Sequence, residues 1–165
     1  MEQPQSDETF LIGRTPYRLE DARFLTGRGN YVADQEAGNA AHAAFVRSPY
    51  GHARVTSVDL SAARKLPGTL TAVSAAEADA DGLKGIPPVM VVNPHNGEPF
   101  HFDLHPLLAG DTVRYVGQPV ALVVAATAAE ALDAMDAVEI EFAPLPAVVD
   151  LRKAIAPGAP QLSAQ

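Results

Sequence analysis

Residues 111–142 read DTVRYVGQPVALVVAATAAEALDAMDAVEIEF, and three kinds of pattern follow one another in them. Thr112–Val116 is β-branched and aromatic, as short strands are, and Gly117-Gln-Pro119 is a turn. Val120–Ala125 is an unbroken apolar run, the mark of a strand covered on both faces. Thr127 and Glu130 stand three apart, a capping box that opens a helix running to about Ala137. On that helix Ala128, Ala131, Leu132 and Met135 form one apolar stripe, with Glu130, Asp133 and Asp136 turned away. Val138–Phe142 then alternates, with Val138, Ile140 and Phe142 inward. Strand, helix and strand with a tight entry imply a right-handed βαβ-like unit or a split version of it. The fold class that follows is α+β: a small mixed sheet with a few short helices packed on it.

Upstream, the same grammar continues. Ala41–Arg47 reads as a strand, Ser48-Pro-Tyr-Gly51 as a turn, and Ala53–Asp59 as a second strand. Asp59 can cap a short helix over Ser61–Lys65 that Pro67-Gly68 stops. Leu70–Val73 is a short strand, and Ser74 with Glu77 is another capping box. Residues 82–110 are irregular, with Val89–Val92 as an isolated strand among prolines and glycines. A stretch this long without regular structure carries function or is disordered. Beyond Phe142, prolines break the pattern except for a helical piece at Asp150–Ala154. The chain thus divides into a disordered tail at 1–11, an extended arm at 12–39, a domain at 40–150 and a second tail at 151–165.

The chain has 165 residues, 20 of them acidic against 12 basic, a net charge of -8. That balance argues against a nucleic-acid module, whose binding face is basic, and against a polybasic membrane anchor. There is no cysteine, so disulfides, thiolate metal sites, iron–sulfur ligation and cysteine nucleophiles are excluded. With mean hydropathy near zero, no stretch approaches the ~20 apolar residues of a membrane helix. The polar, acidic start is unlike a signal peptide, which places the protein in the cytoplasm, or in the periplasm by export with a partner.

Few residues offer chemistry. His101 and His105 are four apart, with Asp103 between them and His95 nearby, a spacing that suits metal ligands on a helix. Pro99 and Pro106 remove the helix, so these read as loop histidines making ordinary hydrogen bonds. The serines lie in turns and caps without a nucleophile motif, and Gly27-Arg-Gly29 is no phosphate loop. Glu139 and Glu141 lie on the outward face of a strand and read as solvated. No catalytic residue and no metal ligand is assigned. The arm is different. Arg14, Arg18, Arg23 and Arg28 gather there with Phe24 and Tyr31, residue types enriched at interfaces. It reads as a docking element or, more plainly, as a solvated loop with local ion pairs.

Several ordered segments together carry a resemblance. They are Arg18–Asp34 (RLEDARFLTGRGNYVAD), Phe45–Val55 (FVRSPYGHARV), Asp59, Leu66-Pro-Gly68, Leu107–Ala125 (LLAGDTVRYVGQPVALVVA) and Val138–Asp150 (VEIEFAPLPAVVD). Over residues 12–160 the chain resembles the opening of the molybdenum-binding subunit of the xanthine dehydrogenase, aldehyde oxidase and aerobic carbon monoxide dehydrogenase family. The resemblance implies an α/β hammerhead domain. It implies an oxidoreductase working at a molybdenum–pterin cofactor, with iron–sulfur clusters and FAD carried by partner domains or subunits. The family's cofactor loops and catalytic glutamate lie downstream of the hammerhead, so none is carried over and this chain is not catalytic alone. His101 and Phe102 match the apolar–aromatic pair that lines the family's substrate funnel. His101 departs from the apolar residue of the xanthine-type enzymes, and the substrate stays open among aldehydes, N-heterocycles and carbon monoxide. The partners implied are the molybdopterin-binding large subunit, the iron–sulfur subunit and the FAD subunit, with no nucleic acid and no membrane insertion. The function expected is a hammerhead subunit or fragment that docks on the large subunit and walls its substrate channel. The alternative is a stand-alone binding or assembly module without a redox role.

Overall fold

The alternating and apolar runs become strands, and their side chains decide how those strands group. The computed structural model describes residues 18–35, 37–87 and 104–162. These fall into two compact units, one up to Asn39 and one from Ala40 onward.

The first unit holds the stretch read as an extended arm, and it is locally coiled instead. Helix α1 spans Asp21–Leu25 and a 3-10 turn spans Val32–Asp34. Gly27, at φ +69°, turns the chain after α1, a conformation that glycine adopts without steric cost.

The second unit contains β1 (His42–Arg47), β2 (Ala53–Asp59), β3 (Thr69–Ser74), α2 (Ala75–Ala80), β4 (Thr112–Val113), β5 (Pro119–Ala125), α3 (Ala128–Asp136), β6 (Glu139–Pro144) and α4 (Leu151–Ala154). The strands form two three-stranded sheets, ordered β1-β5-β3 and β4-β2-β6. Every strand pairing is antiparallel among the described residues. The α+β class therefore holds, and the mixture is one of strands with helices rather than of strand directions. The expected βαβ-like unit is corrected. α3 leads from β5, central in one sheet, to β6, an edge of the other.

β5 joins the two halves. Ala121 and Val123 pack with Ala72, Leu60, Ala63 and Ala134 in one core cluster, whereas Val120 belongs to a second with Ala53, Ala109 and Val113. Val113, Val120 and Val123 are completely buried. Ile140 and Phe142 pack on the second cluster, as their alternation predicts.

The stripe on α3 differs from its reading. Ala131 and Ala134 are buried and Met135 packs beside Ala131, while Leu132 is 54% exposed. The alanine face lets the helix backbone approach the sheet closely, and that turns the larger Leu132 to the rim. Both capping boxes form. The Ser74 N–H donates to Glu77 Oε2 at 2.9 Å, and the Thr127 N–H donates to Glu130 Oε2 at 3.0 Å. The short helix read at Ser61–Lys65 is a 3-10 turn over Ala63–Lys65, after Asp59 Oδ1 accepts the Ser61 N–H at 2.8 Å. The strand read over Thr112–Val116 ends at Val113. There the buried Gln118 bends the chain, its Oε1 accepting the Arg114 N–H at 2.7 Å. Val89–Val92 lies outside the described residues.

Candidate functional site

Three of the interface candidates come together in the first unit. The Phe24 and Tyr31 rings stack with centroids 5.3 Å apart, and the Arg23 guanidinium lies 5.1 Å over Phe24. Arg23 Nη2 also donates to Glu20 Oε1 at 2.8 Å. The Tyr31 N–H donates to Asp34 Oδ2 at 2.8 Å, which anchors the 3-10 turn. Gly29 sits where a side chain would rest against the Phe24 ring. Arg28 joins through its backbone, donating its N–H to the Arg23 carbonyl at 2.9 Å. Arg18 lies 4.0 Å from Asp21, an exposed pair worth little. Arg14 lies outside the described residues.

These contacts order the unit without burying its aliphatic side chains. Leu19 is 98% exposed, Leu25 87% and Val32 91%. The unit is held by local stacking while these three large apolar side chains stay exposed. Sequence reading selected its arginines and aromatics and passed over these three, although their spacing around Phe24 was visible.

The substrate-channel candidates His101 and Phe102 lie outside the described residues, as do His95 and Asp103. The described chain does show where that stretch is rooted. Ile86 and His105 exchange both backbone hydrogen bonds, at 2.7 and 2.9 Å, as an isolated antiparallel bridge. The backbones are so close at this neck that a Cβ on Gly85 would stand 2.8 Å from the His105 carbonyl oxygen. The His105 ring stacks on Tyr115, centroids 6.2 Å apart. Beside the neck lies a cleft of about 260 Å³ lined by Ala78, Leu83, Leu104, Leu107 and Leu108, with Asp79 and Asp111 on its rim. No sequence signal announced the neck, because the bridge pairs residues 19 apart through backbone atoms alone.

Electrostatics strengthen one structural contact. Arg64 donates to the Ala72 carbonyl at 2.6 Å and to Glu77 Oε1 at 2.5 Å. Glu77 also accepts from the Ser74 backbone and hydroxyl. The Ser74 N–H first, then the Arg64 guanidinium and the Ser74 hydroxyl, hold the Glu77 carboxyl at about 2. The Ser61 backbone N–H, followed by its hydroxyl, holds Asp59 below the usual carboxylate range.

Among the described residues no three His, Asp or Glu side chains gather as metal ligands would. Among the described residues the positive-φ glycines Gly27, Gly68, Gly82, Gly117 and Gly158 stand singly in turns and build no consecutive amide nest for a phosphate. No helix among the described residues is long and apolar enough to cross a membrane.

Residues 26–146 match the family described as aldehyde oxidase and xanthine dehydrogenase, a/b hammerhead domain. The chain is 43% identical over 150 residues to the nicotine 6-hydroxylase large subunit of Paenarthrobacter nicotinovorans, covering 90% of this chain and 17% of that one. It is 38% identical over 145 residues to the carbon monoxide dehydrogenase large chain of Afipia carboxidovorans, covering 88% and 17%. Among solved structures, the quinoline 2-oxidoreductase of Pseudomonas putida 86 superposes with a TM-score of 0.73 at 37% identity, covering 90% of this chain and 18% of that one. The chain therefore spans about a sixth of the length of the relatives it matches.

Proposed function

Because this chain belongs to the a/b hammerhead family of aldehyde oxidase and xanthine dehydrogenase, we propose that it serves a molybdenum hydroxylase as its non-catalytic hammerhead part. On this reading it docks on the portion that binds the molybdenum–pterin cofactor and walls the substrate channel. The observation that carries the reading is one of proportion. The match fills about nine-tenths of this chain but a sixth of the nicotine 6-hydroxylase large subunit and of the carbon monoxide dehydrogenase large chain.

The family's cofactors do not fit these residues. The chain has no cysteine for an iron–sulfur cluster. Its described part has neither a ligand triad nor a row of positive-φ glycines. On this reading the molybdenum–pterin cofactor, the iron–sulfur clusters and FAD sit in partners: the molybdopterin-binding large subunit, the iron–sulfur subunit and the FAD subunit. What this chain supplies is shape. The exposed Leu19, Leu25 and Val32 of the first unit, ordered by Arg23, Phe24 and Tyr31, bind the partner. His101 and Phe102, in the stretch between Ile86 and His105, are the residues proposed to contribute to the channel wall.

The test is complementation. The chain is co-expressed with the Paenarthrobacter large subunit from which the matching residues have been removed, and then pulled down. Association, with cofactor retained by the partner, supports the reading. A stable monomer that associates under no condition overturns it in favour of a stand-alone module. The double change Leu25→Asp and Val32→Asp should abolish association while leaving the circular dichroism of the chain unchanged.

A further inference from the structure

The two edges of the β1-β5-β3 sheet are finished differently. The outer edge of β3 is capped at one carbonyl. The Arg64 guanidinium caps the Ala72 carbonyl with two hydrogen bonds, at 2.6 and 3.2 Å, and is itself held by Glu77. The outer edge of β1 is open. Among the described residues, no hydrogen bond from outside the sheet reaches His42–Val46. Alternate N–H and C=O groups of such an edge point away from β5 into solvent. The usual blocks are confined to its last residue. His42–Val46 contains no Lys, Arg, Pro, Asp or Glu, and the charged Arg47 and the one bulge, Val46/Arg47, lie at the final step of the strand. On the sheet face away from Ala44, Phe45 is 41% exposed and stands opposite Leu122, which in turn stands opposite Val73. The apolar row therefore reaches this edge at Phe45, where the Arg47 guanidinium lies 5.4 Å over the ring, and among the described residues no strand lies beyond it.

We propose that β1 receives an extended strand from the cofactor-bearing portion of the large subunit, which continues the sheet past this chain. The occupant is recognised by main-chain hydrogen bonds, with an apolar side chain placed beside Phe45. The inference rests on the docking reading above and adds where on this chain one contact is made. The length of the relatives points to this occupant, since about five-sixths of each lies outside the segment that this chain matches. A second copy of this chain is the competing occupant, and the experiment separates the two.

The full chain, free at low concentration and in complex with the trimmed Paenarthrobacter large subunit, is followed by amide hydrogen exchange. The outward amides of His42–Arg47 should exchange freely in the isolated chain and slow at least ten-fold in the complex. Those of β3 should not change. Ala43→Lys, which puts a charge on the open edge, should weaken the complex at least ten-fold with the chain still folded by circular dichroism. A complex in which the β1 amides exchange as fast as in the free chain overturns the inference and leaves the docking reading standing. Protection of β1 in the free chain, whether by its own segments or by a second copy, overturns it too. Failure to form any complex removes the docking reading and this inference with it.

Discussion

Replacing Gly68 by alanine should destabilise the domain through two separable effects. Gly68 has φ +80° in the turn before β3, and its carbonyl accepts the Ala126 N–H at 3.0 Å. An L-residue in that left-handed region loses about 1–2 kcal/mol. The second effect is contact. A Cβ at Gly68 overlaps the Glu130 carboxylate, which closes the capping box of α3 on the Thr127 backbone and hydroxyl. Pushing that carboxylate aside forfeits a cap worth ~1 kcal/mol. Gly68→Ala should therefore cost about 2–3 kcal/mol in urea titrations followed by circular dichroism. In a chain this size that is a drop of roughly 4–12 °C in Tm. Glu130→Ala alone should cost ~1 kcal/mol. Because the cap is lost only once, the double variant should fall short of the sum by ~1 kcal/mol. Additivity within ~0.5 kcal/mol, or a Gly68→Ala loss below that figure, would refute the coupling between turn and helix cap.

Three further outcomes follow from the same geometry. Glu77, held at about 2, lies below its unfolded value, so its contribution is full above the ordinary carboxylate range and is lost as pH falls through about 2. Glu77→Gln should flatten the acid limb of the stability curve between about 4.5 and 2, and an unchanged limb would show that the box does not form in solution. Ala134→Leu should cost about 1–3 kcal/mol by crowding the face of α3 that meets the sheet; Leu132→Ala, on the rim, should stay within ~0.5 kcal/mol. Gln118→Ala should cost about 1–3 kcal/mol, since it strands the Arg114 N–H, and near-neutrality in denaturant unfolding would place that N–H in contact with water.

What could be read from the residues alone was whatever depends on short spacing. Both capping boxes need only a hydroxyl and a carboxylate three apart, and both form between the expected atoms. The strands over Ala53–Asp59 and Pro119–Ala125 stand nearly where their β-branched and apolar runs put them. Misreadings arose where a distant partner decides. The grouping into two sheets is set by the registers of β2 with β6 and β5 with β1 and β3, which no local pattern records. The stripe on α3 was chosen by hydrophobicity, whereas the sheet selects for smallness and takes Ala131 and Ala134 over Leu132. Nothing in the local sequence marks Arg64. Its partners, the Ala72 carbonyl and Glu77, lie 8 and 13 residues away, and only the fold brings them together. For the site, the aromatic and arginine cluster of the first unit was legible from composition. The open edge of β1 was not, because an edge is defined by what fails to lie beside it.

The Ile86–His105 bridge has a consequence for how such domains diversify. Once two backbone hydrogen bonds clamp the neck, the fold no longer depends on the number of residues between Pro87 and Leu104. The entropy of closing a longer stretch grows only logarithmically, about 0.6 kcal/mol for each doubling. Lineages can lengthen, shorten or exchange that stretch while the two sheets stay put. The clamp makes it an interchangeable cassette, whose length and composition can drift without the domain relearning how to fold.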